Sequence, residues 1–155
     1  QLSGGERGRR WRTAVVDERG ELSGDGSLIC CDVLRHCPKA AGIQQAVRCL
    51  APDVVIFDEL GSLEETKAVI DGLNSGVAAI ASAHCRDIDS LLCRPPLKAA
   101  LNSGAFEKVV FLEGRRSPGT LSGIMNVGDL YAENNRNVSD FYSGNGRRSG
   151  CVGVT

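Results

Sequence analysis

The run Asp53-Val54-Val55-Ile56-Phe57-Asp58-Glu59 constrains this chain more than any other segment. Its four consecutive apolar residues, three of them β-branched, read as a strand buried on both faces. Such strands belong to parallel sheets, whose ligands bind beyond the carboxyl ends of the strands. Asp58 and Glu59 stand at that end. An Asp there suits a Mg²⁺ ion, directly or through water, and a Glu beside it suits orienting or deprotonating an attacking water. The pattern has the form of a Walker B motif. A buried strand followed by an acidic turn also occurs in α/β proteins without this chemistry, so the surroundings must decide.

A phosphate-gripping loop of the type Gly-x-x-x-x-Gly-Lys-Ser/Thr should precede a Walker B strand. None occurs in the 155 residues, and the chain begins with Gln1 rather than Met. The expectation is the later part of a longer protein, cut after the phosphate loop and its helix. A degenerate, non-hydrolysing relative is the alternative. In nucleotide-binding sheets the phosphate-loop strand lies centrally. Residues 1–155 alone are therefore expected to expose apolar strand surface, bind ATP weakly and aggregate. Leu2-Ser3-Gly4-Gly5 resembles the signature of ABC-type ATPases. There the Walker B strand follows within about twenty residues, the length of one helix and a turn. Here Asp58 lies far beyond, with another strand between, so the ABC reading is rejected.

The rest of the chain alternates strands and helices. Residues 12–16 read as a short strand ending at Asp17-Glu18-Arg19, and Gly20 to Gly26 as a polar loop. Cys37-Pro38-Lys39 opens a helix with Pro near its first turn. Ala40, Ile43, Ala46, Val47 and Leu50 follow at helical spacing, and Ala51-Pro52 stops it. After the Walker B strand, 63–74 reads as a helix facing inward with Val69, Ile70 and Leu73, and 77–82 as a buried strand ending at Ala83-His84. Segments 86–92 and 96–102 read as helical. Strands at 107–112 and 121–126 form an antiparallel hairpin. From Gly128 onward Asn, Ser, Gly and Arg dominate, which predicts a disordered tail over 130–155 after an ordered unit over 1–129.

Three strand ends thus carry polar groups: Asp17-Glu18-Arg19, Asp58-Glu59 and His84. In a parallel sheet they converge on one edge. Acids, a cation and an imidazole on one edge suit Mg²⁺ and a phosphate. A histidine beside a γ-phosphate can make a hydrogen bond that exists only in the triphosphate state. A single histidine of this kind also serves as an interior structural residue.

Composition narrows the function classes. Eighteen Lys and Arg against nineteen Asp and Glu give no strong pull towards nucleic acid or anionic membrane. Aromatics at 5% do not supply stacking platforms for single strands. No apolar run reaches the length of a membrane span. The seven cysteines are odd in number and read as reduced thiols acting as small apolar residues. Cys30-Cys31, His36-Cys37 and Cys49 lack the paired spacing of a zinc site.

Taken together, these segments resemble a family. Arg48-Cys49-Leu50-Ala51-Pro52-Asp53 through Asp58-Glu59, then Leu63-Glu64-Glu65-Thr66, Gly76 and Ser82-Ala83-His84 resemble the secretion ATPases of type II and type IV systems. A closer resemblance is to the stage III sporulation protein AA family. It runs through Val16-Asp17-Glu18-Arg19, Asp32-Val33-Leu34, Cys37-Pro38-Lys39-Ala40-Ala41-Gly42, Asp58-Glu59-Leu60-Gly61, Arg94-Pro95 and Phe106-Glu107-Lys108-Val109-Val110, and covers about Leu2 to Asp129. The resemblance implies an α/β, RecA-like P-loop NTPase core with a mostly parallel sheet and a C-terminal antiparallel hairpin, lacking here the phosphate-loop strand. It implies ATP and Mg²⁺ as cofactors. Asp58 would be the Walker B acid near Mg²⁺, reached through water, and Glu59 the catalytic Glu. Asp17 and Glu18 would form an acidic box, and His84 a histidine-box sensor. Arg19 and Arg48 would be candidates for charge compensation at a subunit interface. The stretch between Glu21 and Asp32 is shorter than the family pattern. The implied setting is a homo-oligomeric, hexameric ring, cytoplasmic and peripheral at the inner face of the membrane on the mother-cell side. Its partners would be membrane proteins of the mother cell–forespore channel, with no nucleic acid. The competing class is a non-catalytic scaffold subunit that kept the fold. A recombinase-like, nucleic-acid-dependent ATPase is the weaker third.

Overall fold

The computed structural model describes residues 10–24, 30–114, 117, 119–133 and 150–154. Leu2-Ser3-Gly4-Gly5 and residues 134–149 of the expected tail lie outside them. Strand β1 (Thr13–Asp17) is buried along its whole length. Strand β2 (Asp32–Arg35) pairs parallel with it as the sheet's edge. Helix α1 (Lys39–Gln45) follows, and its backbone widens into a π-helical turn over Ala46–Leu50. Ala51 then turns left-handed at φ 44° and releases the chain through Pro52 into β3 (Val54–Phe57). Helix α2 (Leu63–Leu73) returns it to β4 (Ala78–Cys85). Strands β1, β3 and β4 are parallel neighbours in that order. The polar strand ends therefore share one edge, as the alternation of the sequence requires.

Helices α3 (Ile88–Leu92) and α4 (Pro95–Asn102) lead to the hairpin of β5 (Lys108–Leu112) and β6 (Leu121–Asn126). Helix α5 (Val127–Glu133) continues directly from β6. Strand β7 (Gly150–Val154) runs antiparallel between β4 and β5. The seven-stranded order is β2-β1-β3-β4-β7-β5-β6, four parallel strands followed by three antiparallel ones.

Alternation along the strands decides what each face holds. Ala14 and Val16, Val55 and Phe57, and Ala79, Ala81, Ala83 and Cys85 all join one buried cluster. All five helices contribute to it, for example through Ile43, Val69, Leu91, Leu97 and Leu130. Residues of opposite parity, including Asp17, Ser82 and His84, lie on the other face.

The structure differs from the sequence-based boundaries in four places. Strand β2 falls on residues for which the sequence pattern gave no element; its four residues begin and end with exposed charged side chains, and a short charged edge strand is one way sheets avoid association. Strand β4 extends through His84 instead of stopping before it. Helix α2 buries Thr66, Ala68, Val69 and Gly72, with Leu73 half-buried against the core as expected and Ile70 only half-buried; its small residues let it approach α1. A Cβ on Gly72 would stand 3.0 Å from Val47 Cγ2. The tail expected from 130 holds the end of α5 and the whole of β7. The described cysteines are free, as expected, but most are not buried. Of the six that are described, all are free thiols and Cys85 is buried, whereas Cys30, Cys49 and Cys93 are exposed.

Candidate functional site at the carboxyl ends of the parallel strands

The site is built where β1, β3 and β4 end together. Asp58 follows β3 directly and is buried. Its Oδ1 has no hydrogen-bond partner. That oxygen lies 3.3 Å from the ammonium of Lys39, an ion pair with both side chains about nine-tenths buried. The contact is an ion pair and not a hydrogen bond; the Lys39 ammonium also donates to the Glu59 carbonyl, at 2.9 Å. A buried carboxylate oxygen with an unused lone pair is costly unless something fills it. A hard cation or its bound water is the kind of group that does so.

Glu59 adopts φ 35°, in the left-handed region that few non-glycine residues enter. Its N–H donates to Ser82 Oγ at 2.9 Å. The next amide, Leu60 N–H, donates to the Ser82 carbonyl at 2.8 Å. Leu60 is buried in the core and anchors the chain beyond the bend. The Glu59 carboxylate is half-exposed and lies 3.8 Å from the exposed Arg19 guanidinium. Ser62 then caps α2 through a reciprocal box: its Oγ accepts from the Glu65 amide, and Glu65 Oε2 accepts from Ser62 and Gly61 amides. This fixes the path out of the acidic turn within a few residues.

Asp17 closes β1 and is fully buried. One of its oxygens accepts from Glu21 N–H, and the other from Ser23 N–H and Ser23 Oγ–H. Burial alone would raise its pKa; hydrogen bonds from Ser23 and from the Leu22 and Glu21 amides outweigh it and hold the carboxyl below its ordinary value. Asp17 thus organises the 20–24 turn that follows the strand. Glu18 beside it is exposed. His84 is exposed near the end of β4, two residues past Ser82 and on the same face of the strand.

Of the expected site residues, Glu59 and Arg19 meet directly, and Asp58 adjoins Glu59 in the chain. Asp17, Glu18 and His84 share their edge of the sheet. Arg48 does not. It is exposed on the π-helical turn that leads into the opposite end of β3. Nine residues separate it from Lys39, about 13 Å along a regular helix.

Lys39 and Ser82 were not singled out from the sequence as site residues. Each left a faint signal. A lysine at the first position of a helix opposes the helix dipole, so a nearby acid is to be expected. Ser82 interrupts Ala81-Ser82-Ala83 inside a strand of small apolar residues. Among the described residues, no group of three or more His, Cys, Asp or Glu side chains gathers as a metal cage. No described helix is long and apolar enough to cross a membrane.

Comparison with known proteins bears on the same segment. The family described as Sporulation stage III, protein AA matches residues 3–130. Stage III sporulation protein AA of Bacillus subtilis (strain 168) is 39% identical over 122 residues, which cover 73% of this chain and 39% of that protein. Uncharacterized protein ycf45 of Cyanidium caldarium is 30% identical over 98 residues, 56% of this chain and 28% of that protein. The chain thus spans less than half the length of either relative.

Proposed function

The chain belongs to the sporulation stage III protein AA family, and on that premise we propose that it forms the Walker B and histidine-box part of an ATPase with a RecA-like core. The observation that carries the reading is the buried Asp58 Oδ1, without a hydrogen-bond partner, at the carboxyl end of a parallel strand. One hard carboxylate oxygen without a hydrogen bond suits Mg²⁺, which keeps most of its water and takes few protein ligands. When bound, Mg²⁺ would neutralise charge on the transferring phosphate. Asp58 would hold the ion through water.

Glu59 would orient and deprotonate the attacking water. Its half-exposed carboxylate lies 3.8 Å from the Arg19 guanidinium. Glu18 would add negative charge beside the ion. His84 would report the γ-phosphate to the segment that follows, Arg86 to Leu92. Asp17 supports the site through the 20–24 turn. Arg48, at the other end of the sheet, would serve an active site only from a neighbouring subunit. In the protein of native length these parts would couple ATP binding and hydrolysis to assembly or operation of the mother cell–forespore channel. A cytoplasmic, hexameric ring at the membrane's inner face on the mother-cell side, held by channel membrane proteins and without nucleic acid, is the setting proposed.

The test is Glu59→Gln in the protein of native length. Hydrolysis should fall by about 10²–10⁴-fold, the range for a positioned general base, while Mg²⁺-ATP binding is retained. Hydrolysis at the parent rate would remove Glu59 as the catalytic carboxylate. Absence of both ATP binding and hydrolysis in the parent protein would favour the scaffold role.

A further inference from the structure

We propose that Lys39 and Ser82 are positioning residues that hold the Glu59 peptide in its left-handed conformation and thereby aim its carboxylate at the attacking water. The inference rests on the hydrolytic reading of Glu59. Its own basis is geometric. Glu59 sits at φ 35°, where a long side chain persists only if its surroundings hold it there. Both polar groups of its backbone are held. The N–H donates to Ser82 Oγ, and the carbonyl accepts from Lys39 Nζ, each at 2.9 Å.

The two partners come from different elements. Ser82 lies on β4 and Lys39 opens α1, so the acidic turn is gripped from the neighbouring strand and from a helix. Ser82 acts twice, since its carbonyl also accepts from Leu60 N–H at 2.8 Å. Two successive amides after Asp58 are therefore fixed to one residue of β4. With Leu60 buried beyond the bend, the backbone has little freedom to relax towards an ordinary conformation.

Lys39 adds what a neutral donor would not. Its ammonium lies 3.3 Å from Asp58 Oδ1 while donating to the Glu59 carbonyl. One buried cation thus ties the acid proposed to hold Mg²⁺ to the acid proposed to handle water. A change in charge balance at Asp58 would be felt at Glu59 through that ammonium. Neither Lys39 nor Ser82 needs to touch substrate for this.

The experiment uses the protein of native length. Ser82→Ala, Ser82→Thr and Lys39→Met are made in the parent and in the Glu59→Gln background, with kcat, KM and melting temperature measured for each. A displaced catalytic group typically costs up to about 100-fold. Ser82→Ala and Lys39→Met should each lower kcat by about 10–100-fold with KM changed less than about twofold. Ser82→Thr, which keeps the hydroxyl, should restore most of the rate. In the Glu59→Gln background neither change should slow hydrolysis further, because the group being aimed is gone. The same fold-loss in both backgrounds overturns the proposal, as does a raised KM with kcat unchanged. If Lys39→Met does not fold, the Ser82→Ala and Ser82→Thr pair decides alone. A Glu59→Gln protein with the parent rate removes the hydrolytic reading and the aiming role together. A slow Glu59→Gln protein beside a fully active Ser82→Ala protein removes the aiming role only.

Discussion

At the amino end of the parallel strands, Arg12 and Asp53 meet at 3.5 Å with much of both side chains in water. At the carboxyl end, Lys39 and Asp58 meet at 3.3 Å with both side chains nearly buried. The charge types are the same and the consequences differ. The amino end is also knit by backbone: Asp53 N–H and Val54 N–H donate to the Arg12 carbonyl, and Arg12 N–H donates to Asp53 Oδ2. There the ion pair is an addition to a structure already closed. At the carboxyl end the ions are part of the closure, together with a left-handed Glu59 and a carboxylate oxygen left without a hydrogen bond. One end commits its polar groups to joining strands. The other retains unfilled capacity, which is what a binding site requires.

The sharpest way to break this comparison is Lys39→Met. Removing one partner of a buried pair leaves the other charge uncompensated, typically at a cost of about 3–5 kcal/mol. Urea unfolding should therefore show a larger stability loss for Lys39→Met than for Asp17→Asn, Gly42→Ala or Arg12→Ala. A loss below about 1 kcal/mol would place Lys39 and Asp58 in the same class as the exposed pair.

Asp17→Asn should come next. It replaces a carboxylate that accepts from Glu21 N–H, Ser23 N–H and Ser23 Oγ–H. Hydrogen bonds to charged groups contribute about 1.5–3 kcal/mol, and the loss should lie in that range at pH 7. The pH dependence follows from the lowered folded pKa. The stabilisation is fully present above the unfolded value, about 3.9, and is lost as pH falls through the lower folded one. Stability measured between pH 6 and pH 2 should fall less steeply for Asp17→Asn than for the parent. Parallel acid limbs would deny Asp17 this role.

The sequence announced the site unevenly, for physical reasons. Strands β1 and β3 are short apolar runs ended by acids, so both they and their convergent tips were legible. Helix α2 was legible from its apolar spacing, which is a local signal. Strand β2 carried no apolar run. Strand β7, Gly-Cys-Val-Gly-Val, sits in a glycine-rich stretch, and its pairing with β4 and β5 comes from distant parts of the chain. Lys39 and Ser82 acquire meaning only when α1 and β4 are brought to Glu59, at sequence separations of 20 and 23. Arg48 looked like Arg19 on paper. The helix between Lys39 and Leu50 carries it to the other end of the sheet.

A glycine at each end sharpens the contrast further. Gly42 lies one turn after Lys39, and a Cβ there would stand 2.6 Å from Val16 Cγ1 and 2.9 Å from Cys37 Sγ. Gly72, near the end of α2, would meet Val47 Cγ2 at 3.0 Å. Overpacking costs about 1–3 kcal/mol, against a gain of about 1 kcal/mol for Ala over Gly in a helix. Gly42→Ala should therefore destabilise by about 1–2 kcal/mol and push α1 away from β1, carrying Lys39 with it. Gly72→Ala should be close to neutral. Thermal melts of the two variants side by side decide this. Equal effects would mean that packing is no tighter beside the site than away from it.

Arg12→Ala should have the smallest effect. The guanidinium is about two-thirds exposed and reaches Asp53 only at 3.5 Å. Exposed pairs contribute about 0.2–1 kcal/mol before salt screening, and this geometry belongs at the low end. The backbone bonds that Arg12 makes with Asp53 and Val54 survive truncation of its side chain. Unfolding free energies of Arg12→Ala and parent should agree within about 0.5 kcal/mol, and more closely still in high salt. Lys39→Met should keep most of its effect in the same salt, because a buried pair is screened much less. A loss for Arg12→Ala that matched Lys39→Met and resisted salt would mean that the amino end is held by charge after all, and burial would no longer separate the two ends.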